Sequence, residues 1–125
     1  DADGGNGTIA AVKRGIPVFL HAHGDNSEDW RELLEIAASS PTPPPLVLTH
    51  QTPGIIQGMH NPGGFTDGDR AACIVRSLGV PLERIRMLGT RTDVVGRWSG
   101  KTDPKQKIVK LGWMKKILDI LEVGF

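Results

Sequence analysis

Two short apolar runs, residues 16–20 (IPVFL) and 46–49 (LVLT), constrain this chain more than anything else in it. Neither alternates apolar with polar, as a strand with one wet face would, and both are too short for a helix. Each therefore reads as a strand covered on both faces. Such strands belong to parallel sheets, where the connection between neighbours is a crossover, usually a helix. The intervening residues agree. Asn26 or Ser27 can cap a helix, and Glu28 and Asp29 suit its first turn. Trp30, Leu33, Leu34 and Ala37 recur at helical spacing, so that helix runs to about Ala38. Residues 39–45 (SSPTPPP) form a rigid connector.

The alternation continues on either side. Residues 8–14 are compatible with a short helix that Gly15 ends. A short extended segment is expected over 54–60 and a turn over 61–64. Thr66 caps a further helix, with Asp69 three residues on as a short capping box. Ala71, Ala72, Ile74, Val75 and Leu78 form its apolar side, and Gly79 ends it. Residues 85–88 (IRML) read as a third strand, 92–104 as a polar loop, and 105–123 as an amphipathic helix. The apolar positions of that helix are Ile108, Leu111, Trp113, Met114, Ile117, Leu118 and Leu121. The expected fold class is α/β: a small open, mainly parallel sheet of three or four strands with helices on both faces, one domain over residues 1–125.

Such a chain can bury roughly two-thirds of the surface it exposes when unfolded. Its 15 Lys+Arg balance 14 Asp+Glu at a net charge of +1, which gives no reason to expect nucleic acid or a membrane as partner. Cys73 is the single cysteine, so no internal disulfide forms and a cytoplasmic setting is expected. No apolar run approaches the roughly 18 residues of a spanning helix, and no signal peptide is visible. The chain opens on Asp1 rather than Met, already inside a motif-like stretch, and is expected to lack an N-terminal region. An unfinished sheet edge would then be covered by that region or by another subunit in a homo-oligomer.

Ligands of open α/β sheets bind beyond the carboxyl ends of the strands, and the polar motifs fall there. Residues 21–26 (HAHGDN) follow the first strand, 49–52 (THQT) the second and 89–93 (GTRTD) the third. Asp1 and Asp3 would follow a strand preceding residue 1. Residues 63–70 (GGFTDGDR) precede a helix whose free N–H groups could face the same rim. The H-x-H-x-D pattern resembles the first zinc motif of the metallo-β-lactamase superfamily. That motif continues with His, where Asn26 stands here, and only His50 and His60 remain as further ligands. The acids suit a harder ion. Asp1, Asp3, Asp25, Asp67 and Asp69 offer the oxygen ligands that Mg²⁺ takes alongside water and phosphate. Gly63, Gly64 and Gly68 let backbone approach a ligand, and Arg70, Arg91, Arg97 and Lys101 supply positive charge, as phosphoryl or pyrophosphoryl transfer requires. Plainer roles stay open: His21 and His23 can bond neighbouring backbone, Asp25 can cap a helix, and residues 66–69 can be a cap and nothing more.

Together, HAHGDN, Thr49-His-Gln51 and residues 63–71 (GGFTDGDRA) resemble the archaeal 6-hydroxymethyl-7,8-dihydropterin diphosphokinases, within a wider Rossmann-like family. The opening Asp1-Ala-Asp-Gly4 is similar to that family's D-x-D-G motif. The resemblance runs over nearly the whole chain and covers the family's C-terminal half or more. It implies Mg²⁺-dependent transfer of diphosphate from ATP to the pterin hydroxymethyl group, releasing AMP, in folate- or methanopterin-type cofactor synthesis. It also implies a layout similar to the thiamine pyrophosphokinases. By this resemblance Asp1, Asp3 and Asp25 are metal-site candidates, with Asp3 and Asp25 catalytic. His21, His23, Asn26, Gln51, Thr66, Asp67, Asp69 and Arg70 are candidate substrate or nucleotide contacts. The chain departs from the family at residues 89–93, where G-M-D-F is usual; Asp93 is a candidate for that acid. The alternatives are a thiamine-type or other diphosphotransferase, and a nucleotide- or metabolite-binding domain without catalysis.

Overall fold

The computed structural model describes residues 2–97, 99 and 102–124, without the side chain of Asp3. The chain forms two compact units, Asp1–Asn61 and Pro62–Phe125. The fold is α/β, with four α-helices and one two-stranded parallel sheet among the described residues.

The first unit holds α1 (Asn6–Lys13), β1 (Val18–His21), α2 (Ser27–Ser39) and β2 (Leu46–Thr49). The order β1, α2, β2 is a crossover between parallel neighbours, in the register Val18 to Leu46 through His21 to Thr49. Val18, Leu20, Leu46 and Leu48 alternate along their strands and so share one face. They join a single cluster with Val12 and Ile9 of α1 and with Trp30, Leu33, Leu34 and Ala37 of α2. Both helices of this unit thus contribute to the core that these four strand residues face. Phe19 and Val47, on the other face, stay half-buried. Of the extended segment expected over 54–60, only His60 pairs, as an isolated parallel bridge to Thr49.

The second unit holds α3 (Asp67–Ser77) and α4 (Pro104–Ile120). Ala72, Leu111, Met114, Leu118 and Val123 are its buried cluster, with Leu82, Ile85, Met87 and Leu121 packed against it. The third strand expected over 85–88 does not form. A 3-10 turn (Leu82–Arg84) precedes it, and Ile85 is extended at φ −107° and ψ 123°. No strand of the described residues lies beside it to complete a ladder; the Met87 N–H donates instead to the Gly124 carbonyl at 3.5 Å. Leu88 is 88% exposed.

Helix ends follow local chemistry. Asp103 caps α4, its side chain accepting from the Lys105 N–H at 3.2 Å, and Pro104 opens the helix where its missing N–H costs nothing. α3 ends in a Schellman motif at Gly79, with the Gly79 and Val80 N–H groups bonded to Arg76 and Val75. α4 repeats the motif with Glu122 at φ 57°, so the helix stops at Ile120, short of the expected Val123. Val123 then packs into the same cluster as Leu118, the apolar contact that accompanies this motif.

Candidate functional site

The register sets one end of the first unit. His21 and Thr49 are partners at the carboxyl ends of β1 and β2, and His21 Nδ1 lies 2.9 Å from Thr49 Oγ1, both residues buried. The HAHGDN loop begins there and is tied back by Asn26. The Asn26 Nδ2 group donates to the His21 carbonyl at 2.8 Å, and its Oδ1 accepts from the His23 N–H at 3.2 Å. Asn26 is therefore the N-terminal flank of α2 without capping it by side chain. Its amide closes the loop instead, and an aspartate could not donate to that carbonyl. His23 Nδ1 pairs with Asp25 Oδ1 at 2.5 Å, with Asp25 88% exposed. The His21 and His23 rings lie 6.0 Å apart.

The end of β2 carries the THQT residues that the sequence placed there, with His50 not among the contacts assigned to substrate or nucleotide. His50 is buried, and its Nδ1 accepts from the Thr52 N–H at 3.2 Å. That bond leaves the ring proton to Nε2. The His50 N–H donates to the His60 carbonyl, and Asn61 donates to the Thr52 carbonyl at 2.9 Å. Gln51 is exposed beside them. At the HAHGDN loop, a shallow recess of about 160 Å³ is lined by Ala22, Gly24, Asn26, Ser27, Trp30 and Arg31. The Trp30 indole N–H is buried without a hydrogen-bond partner among the described residues, a donor that sequence periodicity had assigned only to the core.

Asp1 and the side chain of Asp3 lie outside the described residues. Among the described residues no three His, Cys, Asp or Glu side chains gather as a metal cluster. Asp25 alone can be tested for Mg²⁺, and an exposed carboxylate is the donor type that ion takes.

In the second unit, the predicted capping box is present. Asp69 is fully buried; its oxygens accept from the Phe65 and Thr66 N–H groups and from the Thr66 hydroxyl, each at 2.7 Å. Asp69 and Thr66, expected as ligand contacts, thus spend these groups on holding the helix start. Arg70 is buried and donates to Asp67 Oδ1 at 3.0 Å, while Asp67 is 78% exposed. The glycines of this segment also have internal reasons. Gly64 sits at φ 93°, and a Cβ there would come within 2.6 Å of the Arg70 backbone. A Cβ on Gly68 would touch Met87 and Met114, and one on Gly63 would touch Cys73. Burial pushes the Cys73 thiol above its usual range, with Asp69 adding to the effect and Arg70 opposing it. On the loop after residue 88, Arg91 grips both oxygens of Asp93 at 2.7 and 2.8 Å. That pairing raises Arg91 and lowers Asp93 relative to their ordinary values.

No family model matches the chain, and no solved structure matches it. A protein named 6-hydroxymethyl-7,8-dihydropterin pyrophosphokinase from Methanothermobacter thermautotrophicus is 34% identical over 124 residues, covering 91% of this chain and 49% of that protein. Over that span the chain is similar to an archaeal protein of that name. A second protein of the same name, from Pyrococcus furiosus, is 33% identical over 100 residues, 79% of this chain and 39% of its own length. The chain thus spans about half or less of the length of these curated relatives. The resemblance drawn from HAHGDN and GGFTDGDRA agrees with both pyrophosphokinases.

Proposed function

We propose that the chain serves the Mg²⁺-dependent transfer of diphosphate from ATP to the hydroxymethyl group of 6-hydroxymethyl-7,8-dihydropterin, on a route to folate- or methanopterin-type cofactors. The observation carrying this reading is the 34% identity to a pyrophosphokinase of that name over 91% of the chain. In the reaction, the hydroxymethyl oxygen bonds to the β-phosphorus of ATP. The bond from that phosphorus to the α-phosphate oxygen breaks, AMP leaves, and the hydroxyl proton passes to a base. Mg²⁺, when bound, neutralises phosphate charge. We assign Asp1, Asp3 and Asp25 to hold it, with Asp3 and Asp25 catalytic. His21, His23, Asn26 and Gln51 contact substrate or nucleotide from the strand-end loops. Asp67 and Arg70 do so from their own unit, where Thr66 and Asp69 act by shaping the helix start. The parallel β1–α2–β2 crossover supports a Rossmann-like layout for this chemistry.

The test is AMP release from ATP by the full-length protein that carries this chain, offered a panel of pterins and thiamine, with and without Mg²⁺. Release with pterin and Mg²⁺ is expected. Release with thiamine alone would move the reading to a thiamine-type acceptor, and none with any acceptor overturns it. Asp25→Asn should lower turnover on the order of a hundredfold, because a metal-site carboxylate stabilises transition-state charge. The same change should move Tm by no more than about 2 °C, since an exposed ion pair contributes little to stability. A large Tm loss that matches the lost activity would make Asp25 structural.

A further inference from the structure

His50 is the first residue beyond β2 and is only 4% exposed. The sheet's hydrogen bonding runs on past the strand ends: the Ala22 N–H donates to the Thr49 carbonyl, and the His50 N–H to the His60 carbonyl, each at 2.9 Å. The register that pairs His21 with Thr49, carried one residue further, sets His50 beside Ala22, which lines the recess at the HAHGDN loop. The imidazole is held at one nitrogen. Nδ1 accepts from the Thr52 N–H at 3.2 Å and lies 3.0 Å from the Thr52 hydroxyl. An acceptor at Nδ1 leaves the ring proton on Nε2. That N–H has no hydrogen-bond partner among the described residues. Unlike the Trp30 indole N–H, it is not sealed from water. The fold thus uses the acceptor of this buried ring and leaves its donor unused, although an unmade hydrogen bond in a buried place is unfavourable.

We propose that His50 Nε2–H donates to an oxygen of the phosphate chain of ATP. Ligands of open α/β sheets lie beyond the carboxyl ends of the strands, where this donor sits. A neutral ring suits a buried position, because an ammonium or guanidinium there would have to leave water. Its N–H still gives a directed, charge-assisted bond to an anionic oxygen. A phosphate oxygen only accepts, which matches a group that in this tautomer only donates. A pterin edge presents donors and acceptors together and pairs better with an amide or a carboxylate. The Thr52 contact makes His50 a fixed donor, since it holds both the ring and its tautomer. The inference rests on the pyrophosphokinase reading for the identity of the anion.

Two amides separate the ring's two nitrogens. His50→Asn puts an amide oxygen near the place of Nδ1, so it still accepts from Thr52, and it carries no donor out to the place of Nε2. His50→Gln puts an amide N–H near Nε2 and gives up the bond to Thr52. Dissociation constants of the full-length protein that carries this chain are measured for Mg²⁺–ATP, Mg²⁺–tripolyphosphate and 6-hydroxymethylpterin, with Tm in parallel. His50→Asn is expected to weaken ATP and tripolyphosphate about tenfold, the loss of one hydrogen bond to a charged group. Its Tm and its pterin affinity should stay close to wild type. His50→Gln should recover much of the ATP affinity at a lower Tm. A purely structural His50 would give the opposite order, with affinity following Tm, and that result overturns the proposal. So does unchanged ATP affinity in His50→Asn, a loss for ATP without one for tripolyphosphate, or a loss for pterin alone. The pyrophosphokinase reading fails separately, if the wild-type protein binds Mg²⁺–ATP through His50 and releases no AMP with any pterin. A wild-type protein that binds no Mg²⁺–ATP overturns both.

Discussion

Asp69 shows how one buried side chain can carry a local structure. Its carboxylate is fully out of water and takes three donors, two of them backbone N–H groups that precede or open α3. Asp69→Ala should leave those donors without an acceptor in a partly buried place. The expected loss is about 3 kcal/mol, combining a lost cap with unsatisfied N–H groups. Asp69→Asn, which keeps one acceptor oxygen, should fall between. The midpoint of urea unfolding at unchanged slope measures both. A loss under about 0.5 kcal/mol for Asp69→Ala would contradict the capping role. Gly64 and Arg70 belong to the same knot, because the glycine's missing Cβ is what lets the chain pass so close to the helix backbone. In sequence the glycines and acids of this stretch looked like a ligand loop. The capping box was legible from Thr66 and Asp69 at their spacing, but the close approach behind Gly64 was not. It depends on where the chain turns before α3, which no residue type announces.

At the scale of elements, runs bounded by strong local signals came through closely. β2 (Leu46–Thr49) coincides with the apolar run between a proline connector and His50, and α2 (Ser27–Ser39) differs by one residue from its pattern. The third strand did not, because a strand needs a neighbour's backbone as well as its own propensity. Residues 85–88 have suitable side chains and no partner strand among the described residues of their unit. Their side chains should therefore matter only where they reach the α3–α4 cluster. Met87 packs against that cluster and Leu88 is exposed. Met87→Ala should cost about 1–2 kcal/mol, below the range for a fully buried methionine, and Leu88→Ala less than about 0.5 kcal/mol. Thermal unfolding of the two variants compares them directly; equal, large losses would mean that both faces of the segment are covered, as in a sheet. The strand-end site was legible in part for the same reason. HAHGDN could be placed after β1 from sequence, but the His21–Thr49 contact required the register that pairs those two residues.

For the whole molecule, the distribution of buried apolar side chains is the main energetic fact. The cluster around Val12, Leu20 and Leu33 and the cluster around Met114, Leu118 and Val123 share no residue. Hydrophobic stabilisation acts through contact and burial, so truncation in one cluster should be felt by that cluster alone. Val12 is 1% exposed and Val123 is 3% exposed. Val12→Ala and Val123→Ala each remove two buried methyl groups and leave a small cavity, for an expected cost of about 2 kcal/mol apiece. Because the two sites share no packing partner, the double variant should lose the sum, within about 0.5 kcal/mol. The losses are small enough beside the roughly 5–15 kcal/mol of a typical domain for the double variant to remain folded and measurable. Urea unfolding of the two single variants and the double one closes the cycle. A coupling energy above about 1 kcal/mol would show that the two clusters act as one core in energetic terms.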